Sequence, residues 1–491
     1  MKSDSKNELC NNTLSNLNKR VQVPDYDRSQ IEIGIVHLGP GAFHRAHQAV
    51  YTDDLLRLNY KNWGICAVSL NSARFRDSVK KQDNLYTLAI RDIDPKLRIV
   101  GSIIEILFAP DSHDAVIARL SERNVKVVTL TITEKGYCLL PNNRLDFGDS
   151  DIKFDLEHPD TPKTAIGYLS AGLHKRYQQN LDPFVLVSCD NLMDNGVVLK
   201  QAVVDFSYKI DQDLANWISN NVFSPRTMVD SITPTTNQAL IKSVEDDLGF
   251  LDEWPVQREN FSQWIFEDVP GMVLPPWDSV GAVFGADIKK YESCKLKILN
   301  GLHSSIAFVG LITGFETVAE ALDDKSIRDY VQKLLDSEII PSLSAPEGLD
   351  IETYASAVLK RFKNTQIHHF LSQIAWDSSK KIPVRILDTL QDNYRLGNPC
   401  GGLCLAISSW MLLIETMVSR DIPIVDPIVN ELKGIIRRTP QNGERVDAFL
   451  ALDQVFPKDL VDNSSFRRAV VEYFLELKED PMATLKKYSF T

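Results

Sequence analysis

Ile31-Glu-Ile-Gly-Ile-Val-His-Leu38, followed at once by Gly39-Pro-Gly41-Ala-Phe-His44, is the stretch that decides the fold. The first eight residues form an apolar run of strand length, and a helical stretch continues beyond the glycines to Leu58. Strand, glycine turn and helix in that order are the context of a dinucleotide fingerprint. Gly39 permits the tight turn, and Gly41 lets the backbone approach a pyrophosphate. The helix N-terminus adds N–H groups and a positive dipole end. His44 stands where a third glycine would be, so the pattern alone is also that of an ordinary βα turn.

Outward from that turn the first half of the chain alternates. Strand-like runs occur at 32–38, 63–69, 98–106, 125–132 and 184–188, with helix-like stretches at 43–58, 113–122 and 164–178. This alternation predicts an α/β fold with a Rossmann-type, doubly wound parallel sheet, and ligands of such sheets bind beyond the carboxyl ends of the strands. Three polar clusters fall there: Gly39–His44, Thr131–Tyr137 and Ser188–Asn191. From about residue 287 the periodicity turns helical, as in 315–335, 351–362 and 403–418. The segment 252–290, rich in aromatics and prolines, reads as a linker with loops. The expected domains are 1–286, nucleotide-binding with a polar N-terminal extension, and 287–491, mostly α-helical, with the site in the cleft between them.

The 491 residues are enough for two or three domains with full cores. Apolar content of 44% and charged content of 24% are those of a soluble globular protein. A formal charge of −12 argues against nucleic-acid binding. The seven cysteines are scattered, odd in number and without a CxxC pair, so no disulfide framework is expected. With no apolar leader in the first thirty residues, a cytoplasmic location follows as the expectation. The longest apolar stretch, 403–414, is shorter than the roughly 20 residues of a membrane span and reads as a buried helix, so no membrane partner is expected.

A second motif carries chemistry: Lys295-Leu-Lys-Ile-Leu-Asn300-Gly-Leu-His303. At about 100° per residue an α-helix would place Lys295, His303 and Asn300 at about 0°, 80° and 140°, on one broad face. Lysine exchanges a proton once burial lowers its pKa, asparagine donates to a developing alkoxide, and histidine orients either. Spacing alone is equally that of a solvated polar stripe.

Together these segments resemble the polyol-specific long-chain dehydrogenases, or mannitol dehydrogenase family. The resemblance runs through IVHLGPGAFHRAHQAVYTDDLL (35–56), QDNLYTL, TITEKGYC, SCDNL, MVDSITP, KLKILNGLHSS, APEGLDIETYASAVLKRFKN and KKIP, in order along nearly the whole chain. It implies a Rossmann-type domain, a helical domain, a nicotinamide cofactor and no metal. It places the catalytic lysine on Lys295, oxyanion-hole asparagines on Asn191 and Asn300, and a supporting histidine on His303. Asp230 and Lys381 match positions near the substrate. Val36, His37, Leu38, Gly39, Pro40, Gly41, Ala42, Phe43, His44 and Arg45 match the pyrophosphate-binding turn. Relatives often carry arginine where this chain has Ser231, a departure that bears on the surroundings of Asp230.

Other readings compete. Tyr291-Glu-Ser-Cys-Lys295 has the Tyr-x-x-x-Lys spacing of a short-chain dehydrogenase but lies far beyond the first nucleotide-binding half. His44 with His47, and Cys400 with Cys404, offer no full zinc ligand set. A non-catalytic sugar-binding protein is the reading from another class. After the second strand the chain reads Ala67-Val-Ser-Leu-Asn71-Ser-Ala-Arg74-Phe-Arg76, without a ribose-binding acid. NAD is the expected cofactor, with NADP left open. TEKGYC, the APEGLDIETYA segment (345–355) and WDSSKKIP look more like the branch that interconverts D-mannonate and D-fructuronate than the mannitol branch. Lys135, Arg361 and Lys381 are candidate cations for a sugar carboxylate. The expected partner is a small sugar acid or polyol. A monomer is the expectation, with an oligomer left open.

Overall fold

The run Ile33–Leu38 is β1, the central strand of a five-stranded parallel sheet. On one side lie β2 (Gly64–Ser69) and then β5 (Ile103–Phe108); on the other lie β6 (Val127–Leu130) and β7 (Val185–Ser188). All four pairings are parallel. The order is the third, second, first, fourth and fifth strand of this sheet, the arrangement of a Rossmann half. Alternate side chains enter two cores. Val36, Leu38, Cys66, Val68, Val128 and Leu130 pack on one face, and Ile35, Ile65, Ala67, Val127 and Val187 on the other. A strand buried on both faces must be apolar throughout, which is why these runs are continuous rather than alternating. Each valine, leucine or isoleucine among them, withdrawn from water, contributes about 1.5–3 kcal/mol.

This computed structural model describes residues 8–285, 287–366 and 369–490. The chain divides into two units, Met1–Ile288 and Lys289–Thr491. In the first, two small sheets accompany the large one. One contains β3 (Tyr86–Ile90), β4 (Lys96–Val100) and β9 (Val256–Arg258); the other contains β8 (Thr227–Asp230), β10 (Gln263–Glu267) and β11 (Val283–Gly285). The stretch expected as one strand at 98–106 is thus divided between β4 and β5. Gly101 and Ser102 interrupt it, Gly101 donating its N–H to Asp53 at 2.9 Å and the Ser102 hydroxyl donating to the Ala49 carbonyl at 2.7 Å. The expected linker 252–290 holds three short strands, because Trp264, Phe266 and Trp277 are core residues rather than loop decoration.

The helix expected over 43–58 breaks at His47, whose φ of −124° and ψ of −88° separate Ala42–Ala46 from Gln48–Arg57. In the second unit the stretch 315–335 divides into Val318–Asp323 and Lys325–Leu334, with Asp324 capping the second helix. Gly401–Ser419 is the one helix among the described residues long and apolar enough to cross a membrane, and 72% of its apolar window is buried within the protein. Buried Glu338 accepts the N–H groups of Gly402 (2.7 Å) and Leu403 (2.9 Å) at its start, where the helix dipole favours negative charge.

Candidate active site

Gly39 has a φ of +87°, and a Cβ there would lie 2.4 Å from the Thr131 carbonyl oxygen, so glycine alone fits. A Cβ on Gly41 would meet nothing nearer than the Gly39 carbonyl at 3.9 Å. The first bond into the following helix is donated by Arg45 to Gly41 at 3.2 Å. The N–H groups of Ala42, Phe43 and His44 therefore have no acceptor within the helix. Open space over one glycine and three aligned donors fit a dinucleotide pyrophosphate.

Beneath the turn His37 is fully buried. Its Nδ1 lies 2.7 Å from the Thr129 hydroxyl, and its Nε2 lies 3.0 Å from the Thr131 hydroxyl and 3.2 Å from the Gly39 carbonyl. Thr131 itself donates to Gly39 at 2.7 Å, so the network assigns the ring proton to Nε2. The His44 ring stacks on that of His37, centroids 3.3 Å apart, and neither of its nitrogens has a hydrogen-bond partner. Burial lowers the His37 pKa to about 3 and holds that of His44 well below the usual range, where the neighbouring His37 and Arg45 depress it further. The Arg45 guanidinium turns into the core, donating to the Trp254 carbonyl at 2.7 Å and lying over the Phe75 ring at 4.7 Å. His47 is bonded to the Gln263 carbonyl at 2.9 Å. Among the described residues no group of three His, Cys, Asp or Glu is placed to hold a metal.

At the end of β7 the sequence reading overlooked Asp190. Its carboxylate accepts the N–H groups of Ile132 and Thr133, both at 3.0 Å, and the hydroxyl of Tyr137 at 2.7 Å. It thereby fastens the TITEKGY loop to the SCDN segment, and the next residue is Asn191, exposed at the strand's end. Asn195 joins the same region to β8, its side-chain N–H donating to the Thr227 carbonyl at 2.9 Å and its oxygen accepting the Thr227 N–H at 2.9 Å. Asp230 closes β8, buried and in register with Gln263 of β10. Lys135 is exposed on its loop. Past β2, Arg74 lies over the Trp254 ring at 4.4 Å, and Arg76 pairs with Asp77 at 2.8 Å and Asp111 at 2.6 Å.

In the second unit the segment Lys295–Gly301 is a π-helix rather than the expected α-helix. Hydrogen bonds then run from i to i+5, so Lys295 and Asn300 lie about one turn apart and nearer to one face than in an α-helix. Such wide turns concentrate at functional sites. Gly301 accommodates the bulge, since a Cβ there would lie 2.8 Å from the Arg385 carbonyl oxygen on a second π-segment, Pro383–Leu387. Lys295 is buried and Asn300 half-buried. The neighbouring Lys297 is also buried but salt-bridged, Nζ to Asp392 at 2.6 Å. Tyr291 donates its hydroxyl to the Glu347 carbonyl at 2.7 Å, and burial raises its pKa, which keeps the hydroxyl protonated.

His303 is buried with its ring stacked on Phe362 (centroids 4.2 Å) and edge-on to His369 (4.6 Å), and Nε2 has no hydrogen-bond partner. Burial first, then His369 and the cations Arg385, Arg361 and Lys381, hold its pKa well below the usual range. Lys381 donates to the Ile374 carbonyl at 3.1 Å, and Arg385 to the Ser304 hydroxyl at 3.3 Å. Thus Arg385, Lys381 and Arg361 gather around His303 within one unit, and Lys295 and Asn300 lie on the π-segment that leads into it. Arg385, which the sequence reading did not single out, lies one helical turn past Lys381.

Comparison with known proteins places these features in a wider set. Residues 33–278 match the model described as the mannitol dehydrogenase Rossmann domain, and residues 287–478 that of the mannitol dehydrogenase C-terminal domain. The chain is 38% identical to the D-mannonate oxidoreductase of Escherichia coli K12, over 95% of this chain and 98% of that protein. It is 35% identical to a mannitol 2-dehydrogenase of Aspergillus fumigatus, over 95% of each. Among solved structures it is similar to Pseudomonas fluorescens mannitol 2-dehydrogenase in complex with NAD and D-mannitol, with a TM-score of 0.87 and 32% identity, over 98% of this chain and 99% of that one.

Proposed function

The chain belongs to the mannitol dehydrogenase family of oxidoreductases, and from that premise we propose that it interconverts D-mannonate and D-fructuronate with NAD. The cofactor is held by the N-terminal domain, residues 1–286, at Val36–Arg45, and the acid/base by the C-terminal domain, residues 287–491. Val36–Arg45 would hold the nicotinamide cofactor, which would supply the hydride chemistry at the carbinol carbon. Buried Lys295 takes the hydroxyl proton in oxidation and returns it in reduction. Asn191 and Asn300 donate N–H groups to the oxygen as negative charge develops, so their bonds strengthen toward the transition state. His303, kept neutral by burial, orients the oxygen or the lysine, and Asp230 and Lys381 lie near the substrate.

What supports the sugar-acid reading is the gathering of cations beside His303: Arg385 donates to Ser304, the next residue, Lys381 stands one turn before Arg385, and Arg361 adjoins Phe362, whose ring stacks on His303. A neutral polyol needs no such field, whereas a carboxylate gains a charge-assisted bond from it. NAD rather than NADP is supported by the engagement of Arg76 with two aspartates and of Arg74 with Trp254, which leaves the end of β2 ill suited to a 2′-phosphate. The similarity to mannitol 2-dehydrogenases favours mannitol and fructose as the second reading. Measuring kcat/KM for mannonate, altronate, mannitol and arabinitol with both nucleotides tests the proposal. The expected result is a preference for mannonate with NAD, and a clear preference for mannitol overturns it.

A further inference from the structure

Two of the π-segments in the second unit meet at the reactive residues. Gly301, which follows Asn300, lies so close to the Arg385 carbonyl that a Cβ would approach it to 2.8 Å. Ser304, which follows His303, accepts Nη1 of Arg385 at 3.3 Å. Backbone and side chain of Arg385 are therefore both tied to the segment that carries Asn300 and His303. Its side chain is half-buried, as are those of Arg361 and Lys381. Phe362, next to Arg361, stacks on His303, and Lys381 stands one turn before Arg385. Three basic side chains are thus arranged around one buried, neutral imidazole.

In a sugar acid oxidised near the far end of its chain, the carboxylate and the reacting carbon are separated by several carbons. An anchor for the carboxylate must then come from a segment beside Lys295–His303 and be held rigidly against it. Arg385 meets both conditions, and a guanidinium offers a planar pair of donors matched to a carboxylate, which an ammonium does not. Resting on the sugar-acid reading above, we infer that Arg385 is the specificity-determining residue that takes the substrate carboxylate, with Arg361 supporting it, and that it separates sugar acids from neutral polyols.

The test compares the ratio of kcat/KM for mannonate to that for mannitol in the wild type, Arg385→Ala and Arg385→Lys. Loss of a charge-assisted bond to a carboxylate corresponds to about a ten- to hundredfold fall in that ratio. The expected result is a fall of this size in Arg385→Ala, expressed mainly in the KM for mannonate, with partial recovery in Arg385→Lys. Should the alanine variant fail to fold, Arg385→Gln, nearly isosteric and uncharged, carries the same reading. Equal losses on both substrates, with the ratio unmoved, overturn this inference alone. A wild type that prefers mannitol overturns the sugar-acid reading and the inference with it.

Discussion

Asp190 accepts the hydroxyl of Tyr137 at 2.7 Å across 53 residues of chain, and Tyr137 also lies 2.6 Å from the Ser188 hydroxyl. Burial pushes the Asp190 carboxyl above its ordinary value, and the N–H groups of Ile132 and Thr133 and the Tyr137 hydroxyl pull it back toward ionisation. The carboxylate thus fixes the loop in which Thr133 adopts a φ of +63°, immediately before Asn191 leaves the strand end. Removing the carboxylate leaves the part-buried Ile132 N–H unpaired, at a cost of about 1–3 kcal/mol, while the exposed Thr133 N–H turns to water and Tyr137 keeps Ser188. Asp190→Ala should lower the melting temperature and slow turnover by displacing Asn191, whereas Tyr137→Phe, which deletes one donor, should do less of both. Unchanged kcat in a well-folded Asp190→Ala would free Asn191 from this dependence.

Glycines 39 and 41 separate folding from binding. At Gly39 a side chain meets both a left-handed backbone, worth about 1–2 kcal/mol, and the Thr131 carbonyl. Gly39→Ala should therefore destabilise the whole sheet. Gly41→Ala has room in the free protein and should melt normally while binding NAD more weakly, because the added methyl stands where the pyrophosphate approaches. Calorimetric titration with NAD beside a thermal melt checks both, and equal affinity in Gly41→Ala would move the nucleotide off this turn.

Much of this was readable in the sequence because it is local. The β1 turn announces itself within fourteen consecutive residues, and Ile351–Phe362 forms the expected helix because a capping aspartate, Asp350, precedes a clean helical period. What escaped depends on distant partners. Asp190 looks like any loop aspartate until Ile132 and Tyr137 are brought to it, and Arg385 finds Ser304 from 81 residues away. Polar residues at 295, 300 and 303 suit an α-helix as well as a π-turn, since the wider hydrogen bonding answers to the contact of Gly301 with Arg385. The strands β9 to β11 were hidden by prolines that sit between them rather than in them.

Acid should destabilise the protein earlier than its carboxylates alone would. His37, near 3, and His369, near 4, are held below the unfolded value of 6.5 by burial, His369 further by Arg361, and His44 and His303 are held down likewise. A histidine whose folded pKa is depressed stabilises fully above its unfolded pKa, and that stability drains as pH falls toward the folded value. Between about pH 6.5 and 4, His37 and His369 each contribute a slope of about 1.4 kcal/mol per pH unit, and His44 and His303 add to it in the same direction. The melting temperature should fall steadily across that window. His44→Phe, which keeps the stacked ring and makes no hydrogen bond less, should flatten the fall, and an unaltered slope would mean that His44 is charged or exposed in solution.

Lys295 and Lys297 offer the sharpest separation of chemistry from structure, because both are buried lysines on one π-turn. Lys297 is held by Asp392 at 2.6 Å and lies 3.4 Å from the Ser342 hydroxyl, a structural pairing whose loss leaves the Asp392 carboxylate to Arg395, at 3.2 Å, alone. Lys297→Met should therefore cost stability, about 1–3 kcal/mol for a half-exposed partner, with turnover at permissive temperature reduced far less than in Lys295→Ala. Lys295→Ala should fold and bind NAD yet lose about 10²- to 10⁴-fold in kcat, the usual worth of general acid–base catalysis. Asn300→Ala should act on kcat more than on KM, at about 2.7–4 kcal/mol if its bond tightens as the alkoxide forms. A pH–rate profile completes the argument: the acidic limb for mannonate oxidation, along which the rate falls as the amine takes up its proton, should disappear in Lys295→Ala. Should near-normal turnover survive there with the limb intact, the proton acceptor is another group, and Tyr291, whose hydroxyl is bonded to Glu347, would have to break that bond to serve.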